Sequence, residues 1–137
     1  MIEQILLIIG AAIFGVLGAL HLYYTFFTNM FMTRDRKVAE AMKATSPLLT
    51  NRTSVWNGWI GFNGSHSLGA IFIAAFYILL ATTHMEIIRE TKGFVLLAAL
   101  IGVSYLYLAI KYWFRIPLIG ILIVTICFVI SAILMYI

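Results

Sequence analysis

Four long apolar runs dominate the alternation of hydrophobic and polar positions along the chain. They are Ile5 to Phe27, Val55 to Ala81, Gly93 to Tyr112 and Pro117 to Ile137. Each is near or above the roughly 18–20 apolar residues that a membrane-crossing helix needs. The first would be about 34 Å long at about 1.5 Å per residue. None alternates as a barrel strand does, and an open sheet cannot present unpaired backbone to lipid. The pattern therefore predicts an all-α fold, a four-helix transmembrane bundle forming one integral membrane domain over residues 1–137. The residues before the first run carry Glu3 and no basic side chain, and no small-residue cleavage site follows, so this run reads as a retained helix rather than a signal peptide.

The connections differ in length and charge. Thr28 to Ser54 is the one long loop. Its middle, Arg34 to Thr45, is rich in helix formers, with Val38, Ala41 and Met42 on one side and Arg36, Lys37, Glu40 and Lys43 largely elsewhere. That spacing predicts a short amphipathic helix on the membrane surface, ended before Pro47, with a plain polar loop as the alternative. Thr53 and Ser54 can cap the second span and Thr91 the third, while Pro117 suits the first turn of the fourth. The few residues around Arg115 make the last two spans antiparallel neighbours.

Basic residues set an expected orientation. The first connection holds Arg34, Arg36, Lys37, Lys43 and Arg52, and Lys111 and Arg115 flank the third. The second holds Arg89 and Lys92 offset by Glu86 and Glu90. The positive-inside rule then puts the first and third connections in the cytoplasm and both termini outside, in what reads as a bacterial cytoplasmic membrane. Trp56, Trp59 and Trp113 fall near the same boundary, as an aromatic belt does.

Composition agrees with lipid as the solvent. Hydrophobic residues make up 64% of the chain and charged residues 10%, against roughly 45–50% and about 25% in ordinary globular proteins. The net charge of +4 sits in short loops beside apolar runs, which favours anionic headgroups at Arg34, Arg36, Lys37 and Lys43 over nucleic acid. One cysteine, Cys127, makes neither an internal disulfide nor a zinc site.

The chemistry is concentrated in the first two spans. His21 lies about 9 Å, and His66 about 16 Å, from the shared boundary by helix rise. The second span opens with a polar, small-residue segment in which Asn63, His66, Ser67 and Ala70 share a face. Polar groups at this depth are costly and mark either interhelical hydrogen bonds or a site. Gly58, Gly61, Gly64 and Gly69 read as close-packing positions against Gly15 and Gly18 of the first span. His21, Asn63 and His66 read as the lining of a ligand pocket, with Tyr24, Ser67 and Tyr105 as further members.

The acids remove several mechanisms. Glu3, Asp35, Glu40, Glu86 and Glu90 all lie at ends or in loops. A di-iron carboxylate site, a Ser–His–Asp triad around Ser65 and Ser67, and a carboxylate proton relay each lack the buried acid they need. Asp35 reads as first-turn helix chemistry, and His84, near Glu86, as a solvated side chain. No cofactor is required. A quinone or lipid-like molecule suits a His/Asn pocket, and haem b held by His21 and His66 is the redox alternative, although the two depths differ. A third reading is non-enzymatic, an accessory subunit or homo-oligomer whose polar stripe meets partner helices. A transporter is disfavoured by the absence of intramembrane charge and of repeats.

At Gly18-Ala19-Leu20-His21 and at Phe62-Asn63-Gly64-Ser65-His66-Ser67-Leu68-Gly69, the chain resembles an uncharacterised family of short bacterial four-helix integral membrane proteins. The resemblance covers the first two spans and the loop between them, and implies no activity. In size and helix count the chain is also similar to DoxX-like and EXPERA-like membrane proteins. The isomerases of the latter group rely on intramembrane acids that this chain lacks.

Overall fold

The computed structural model describes every residue from Met1 to Ile137. The fold is all-α, with 82% of residues helical and no strand. In chain order the helices are α1 (Ile2–Phe27), α2 (Arg36–Ala44), α3 (Val55–Thr83), α4 (Met85–Glu90), α5 (Gly93–Tyr112) and α6 (Arg115–Tyr136). Four of them, α1, α3, α5 and α6, are long and apolar enough to cross a membrane. At most 39% of the apolar window in any of these four is buried inside the chain. The remaining apolar surface, including Val16, Leu79, Leu100 and Ile133, needs lipid around it. The protein is an integral membrane protein.

Helix ends follow local chemistry. Ser54 Oγ accepts from Asn57 N at 3.2 Å and caps α3. Asp35 caps α2 by accepting from Lys37 N at 2.9 Å, so it serves this surface helix rather than His21. The amphipathic helix is present, but its buried residue is Ala39, whereas Val38 and Ala41 are exposed. The second connection is also not a plain loop. Met85 and Ile88, spaced by three, are buried and fold Met85–Glu90 into the single-turn-and-a-half α4. Thr91 closes α4 by donating its N–H to Ile87 O at 2.8 Å, and Lys92, without a side-chain cap bond, precedes α5.

The chain divides into two compact units. One comprises Met1–Leu17 and Ala70–Ile137. It holds the first part of α1, the second half of α3, and α4 to α6, packed as a four-helix bundle around Leu7, Phe14, Tyr77, Val95, Val124 and Phe128. Polar side chains tie these helices through each other's backbone. Gln4 Nε2 donates to Ala81 O at 2.8 Å, Ser131 Oγ to Glu3 O at 2.7 Å, and Tyr77 Oη to Phe94 O at 2.8 Å. The α5–α6 pair is in close contact where Thr125 Oγ1 donates to Gly102 O at 2.9 Å. No buried side-chain nitrogen or oxygen lacks a partner, the condition for polar groups to persist in lipid.

The other unit is Gly18–Gly69: the end of α1, the long connection with α2, and the first half of α3. Val55 N donates to Thr45 O at 2.9 Å, bringing the end of α2 to the start of α3. Lys43 Nζ lies 5.3 Å from the Trp56 ring centroid, a cation–π distance.

Candidate functional site: a His–Asn–His cluster

His21 from α1 and Asn63 and His66 from α3 come together in the Gly18–Gly69 unit. His21 Nε2 and Asn63 Oδ1 are 2.9 Å apart, and the His21 and His66 ring centroids are 5.3 Å apart at 67°. Asn63 is only 5% exposed, and Ser67, one turn on, is fully buried. Helical rise alone separates the two histidines by about 7 Å in depth. Their contact at 5.3 Å means that the placement of the two helices, together with side-chain reach, makes up this difference.

The hydrogen bonds fix proton positions. Trp59 O can only accept, and Asn63 Nδ2 donates to it at 2.8 Å. Asn63 Oδ1 must then face His21, and an oxygen there requires Nε2 to carry the hydrogen. In the neutral imidazole Nδ1 consequently bears the lone pair. Asn63 O in turn accepts from Ser67 Oγ at 2.7 Å, and His21 O accepts from Thr25 Oγ1 at 2.7 Å. Each hydroxyl satisfies itself within its own helix, so Ser67 packs beneath the cluster rather than offering a free donor.

Aromatic rings flank the imidazoles. Phe31, outside any helix, lies 4.5 Å from the His21 ring and 6.5 Å from Trp59, and Phe62 stacks on His66 at 6.2 Å. Phe31 escapes a reading of the sequence by spans. Its signal is the apolar triplet Met30-Phe31-Met32 between Thr28-Asn29 and the charged stretch that opens at Arg34. Gly64 belongs to the same layer, since a Cβ there would meet Phe26 Cζ at 3.0 Å. This glycine lets α1 and α3 approach.

Other expected members lie elsewhere. Tyr24 is exposed and its ring faces Tyr23 at 6.0 Å. Tyr105 belongs to the other unit, where it meets Phe14 edge-on at 4.9 Å. Gly18 is buried, and Gly15 packs against Ala74, where a Cβ would come within 2.8 Å. At Gly58, Gly61 and Gly69 a Cβ would meet nothing within 4 Å. These three therefore make no close helix contact inside the chain, contrary to the sequence pattern. A cavity of about 240 Å³ is lined by Glu3, Arg89, Leu134 and Met135, in the bundle unit rather than at the histidines.

The cluster is chemically a pair of imidazoles with one oriented lone pair in an apolar shell. Haem does not fit it as it stands. To hold a haem between them His21 and His66 would have to part, whereas His21 Nε2 is engaged by Asn63 and the two rings touch edge to face at 5.3 Å. No three His, Cys, Asp or Glu side chains gather at one place in the chain. No family model, curated protein or solved structure matches this chain.

Proposed function

We propose that the His21–Asn63–His66 cluster binds the polar head of a lipid-like small molecule or a quinone within the membrane. The observation that carries this reading is the 2.9 Å His21–Asn63 bond beside His66, between two spans of an otherwise apolar chain. Ionisable groups at such depth are costly and mark sites by default. With Nε2–H committed to Asn63, His21 offers an acceptor at Nδ1, which favours a ligand that donates: a quinol or an alcohol hydroxyl. Phe31 lies against His21 and belongs to no helix, so the ligand reaches His21 by displacing this ring.

The same reading places the chain in a bacterial cytoplasmic membrane, with the 28–54 connection on the cytoplasmic side and both termini outside. The exposed Arg34, Arg36, Lys37 and Lys43 then meet anionic headgroups. Native mass spectrometry with an absorbance spectrum of the detergent-purified protein tests the site. A bound lipid or quinone, lost in the His21→Ala and His66→Ala variants, is the expected result. Identical ligand retention in the double variant would sink the proposal.

A second reading, an accessory subunit or homo-oligomer, draws on Gly58, Gly61 and Gly69, which are open positions on a membrane helix where a partner helix can approach. Gly61→Leu should then abolish co-purification of a partner or a second copy. Unaltered assembly in that variant argues against it.

A further inference from the structure

We infer that the loop between α2 and α3 is a membrane anchor, in which Leu48 and Leu49 insert into the headgroup–acyl boundary of the leaflet beside α2. The loop is built rather than slack. Its neck is closed by the Val55 N to Thr45 O bond of 2.9 Å, and its tip is a turn in which Thr50 N donates to Pro47 O at 3.2 Å. A second bond, Arg52 N to Thr50 Oγ1 at 3.2 Å, stiffens the return arm. Such loops with joined ends are compact and frequently functional.

The tip presents what a soluble turn avoids. Leu48 is fully exposed and Leu49 is 93% exposed, and both occupy the central positions of the turn. Turn centres ordinarily carry Gly, Asn, Asp or Ser. The neck sits at Val55, the first residue of a membrane-spanning helix. Leu48 and Leu49 are three and four residues from Thr45 at the neck, so the tip lies within about 14 Å of the end of α3, near enough to touch the leaflet that α3 enters. Exposed Lys43 precedes the loop and exposed Arg52 follows the tip, while the loop itself carries no acid. Two aliphatic side chains flanked by cations match an anionic leaflet, apolar contact below and charge attraction at the surface.

The test uses the full chain with Cys127→Ala and a nitroxide at Asn51→Cys, an exposed position two residues from the tip. It is reconstituted in vesicles of phosphatidylcholine and phosphatidylglycerol, 3:1. Collision with oxygen, enriched in lipid, is compared with collision with a water-soluble nickel chelate. The expected result is oxygen-dominated relaxation, reversed toward the chelate in the Leu48→Ser/Leu49→Ser variant, with the helical circular dichroism unchanged. Chelate-dominated relaxation in the parent chain overturns the inference, and so does protection from both reagents, which would mean that a protein covers the tip. An oxygen preference that survives the double substitution also overturns it, because the leucines would then not be the anchor.

Discussion

His21 Nε2 donates to Asn63 Oδ1 across 2.9 Å, and Asn63 Nδ2 passes a second bond to Trp59 O. One amide thus orients an imidazole on α1 from a backbone carbonyl on α3. Interhelical bonds of this kind in membranes are worth about 0.6 kcal/mol on average and up to about 1.7 kcal/mol. A double-mutant cycle of His21→Ala and Asn63→Ala, read by reversible unfolding in detergent–lipid mixtures, should return a coupling in that range. Strict additivity would show that the bond is not made.

Phe31 lies against His21, with ring centroids 4.5 Å apart, and should limit access to it. Diethylpyrocarbonate should modify exposed His84 quickly in every variant, which makes it an internal standard. His21 and His66 should react slowly in the parent chain and several-fold faster after Phe31→Ala, whose ring otherwise lies 4.5 Å from His21. Equal rates with and without the ring would exclude a covering role.

The glycines divide by what surrounds them. A Cβ at Gly102 would come within 3.1 Å of Thr125 Cα, a backbone atom that cannot step aside. Gly102→Ala should cost about 1–3 kcal/mol by overpacking. Gly61→Ala, with nothing within 4 Å, should stay within about 0.5 kcal/mol of the parent. Unfolding curves of the two variants that coincide would contradict the packing at α5–α6.

Glu86, outside the spans, carries a pH dependence of local order. A hydrogen bond to its own backbone amide, then His84 at 3.3 Å, hold its carboxyl below the ordinary value of 4.5. A lowered folded value means the contribution is complete above that ordinary value and is lost as pH falls through the folded one. Protection of the α4 amides, taken relative to their intrinsic exchange rates at each pH, should therefore fall on acidification below about pH 4.5, and Glu86→Gln should flatten the response. A profile that Glu86→Gln leaves unchanged would assign it to another group.

Hydropathy alone determined the four spans, because lipid forces each segment to satisfy its own backbone, and that demand is local. The Ser54 cap and the presence of a helix at α2 were legible for the same reason, since each depends on residues within one or two turns, whereas the face that α2 buries, at Ala39 rather than Val38 and Ala41, was not. The polar segment of α3 also marked Asn63 and His66 as unusual. Whether His21 faces them depended on the axial offset and rotation of α1 against α3, which packing sets between residues 42 apart in sequence. Packing likewise gave Phe31 its place over His21 and sent Tyr24 outward. It made Gly64 a contact for Phe26 while leaving Gly58, Gly61 and Gly69 open. Helical periodicity names the face a residue shares, but only the neighbouring helix decides what that face meets.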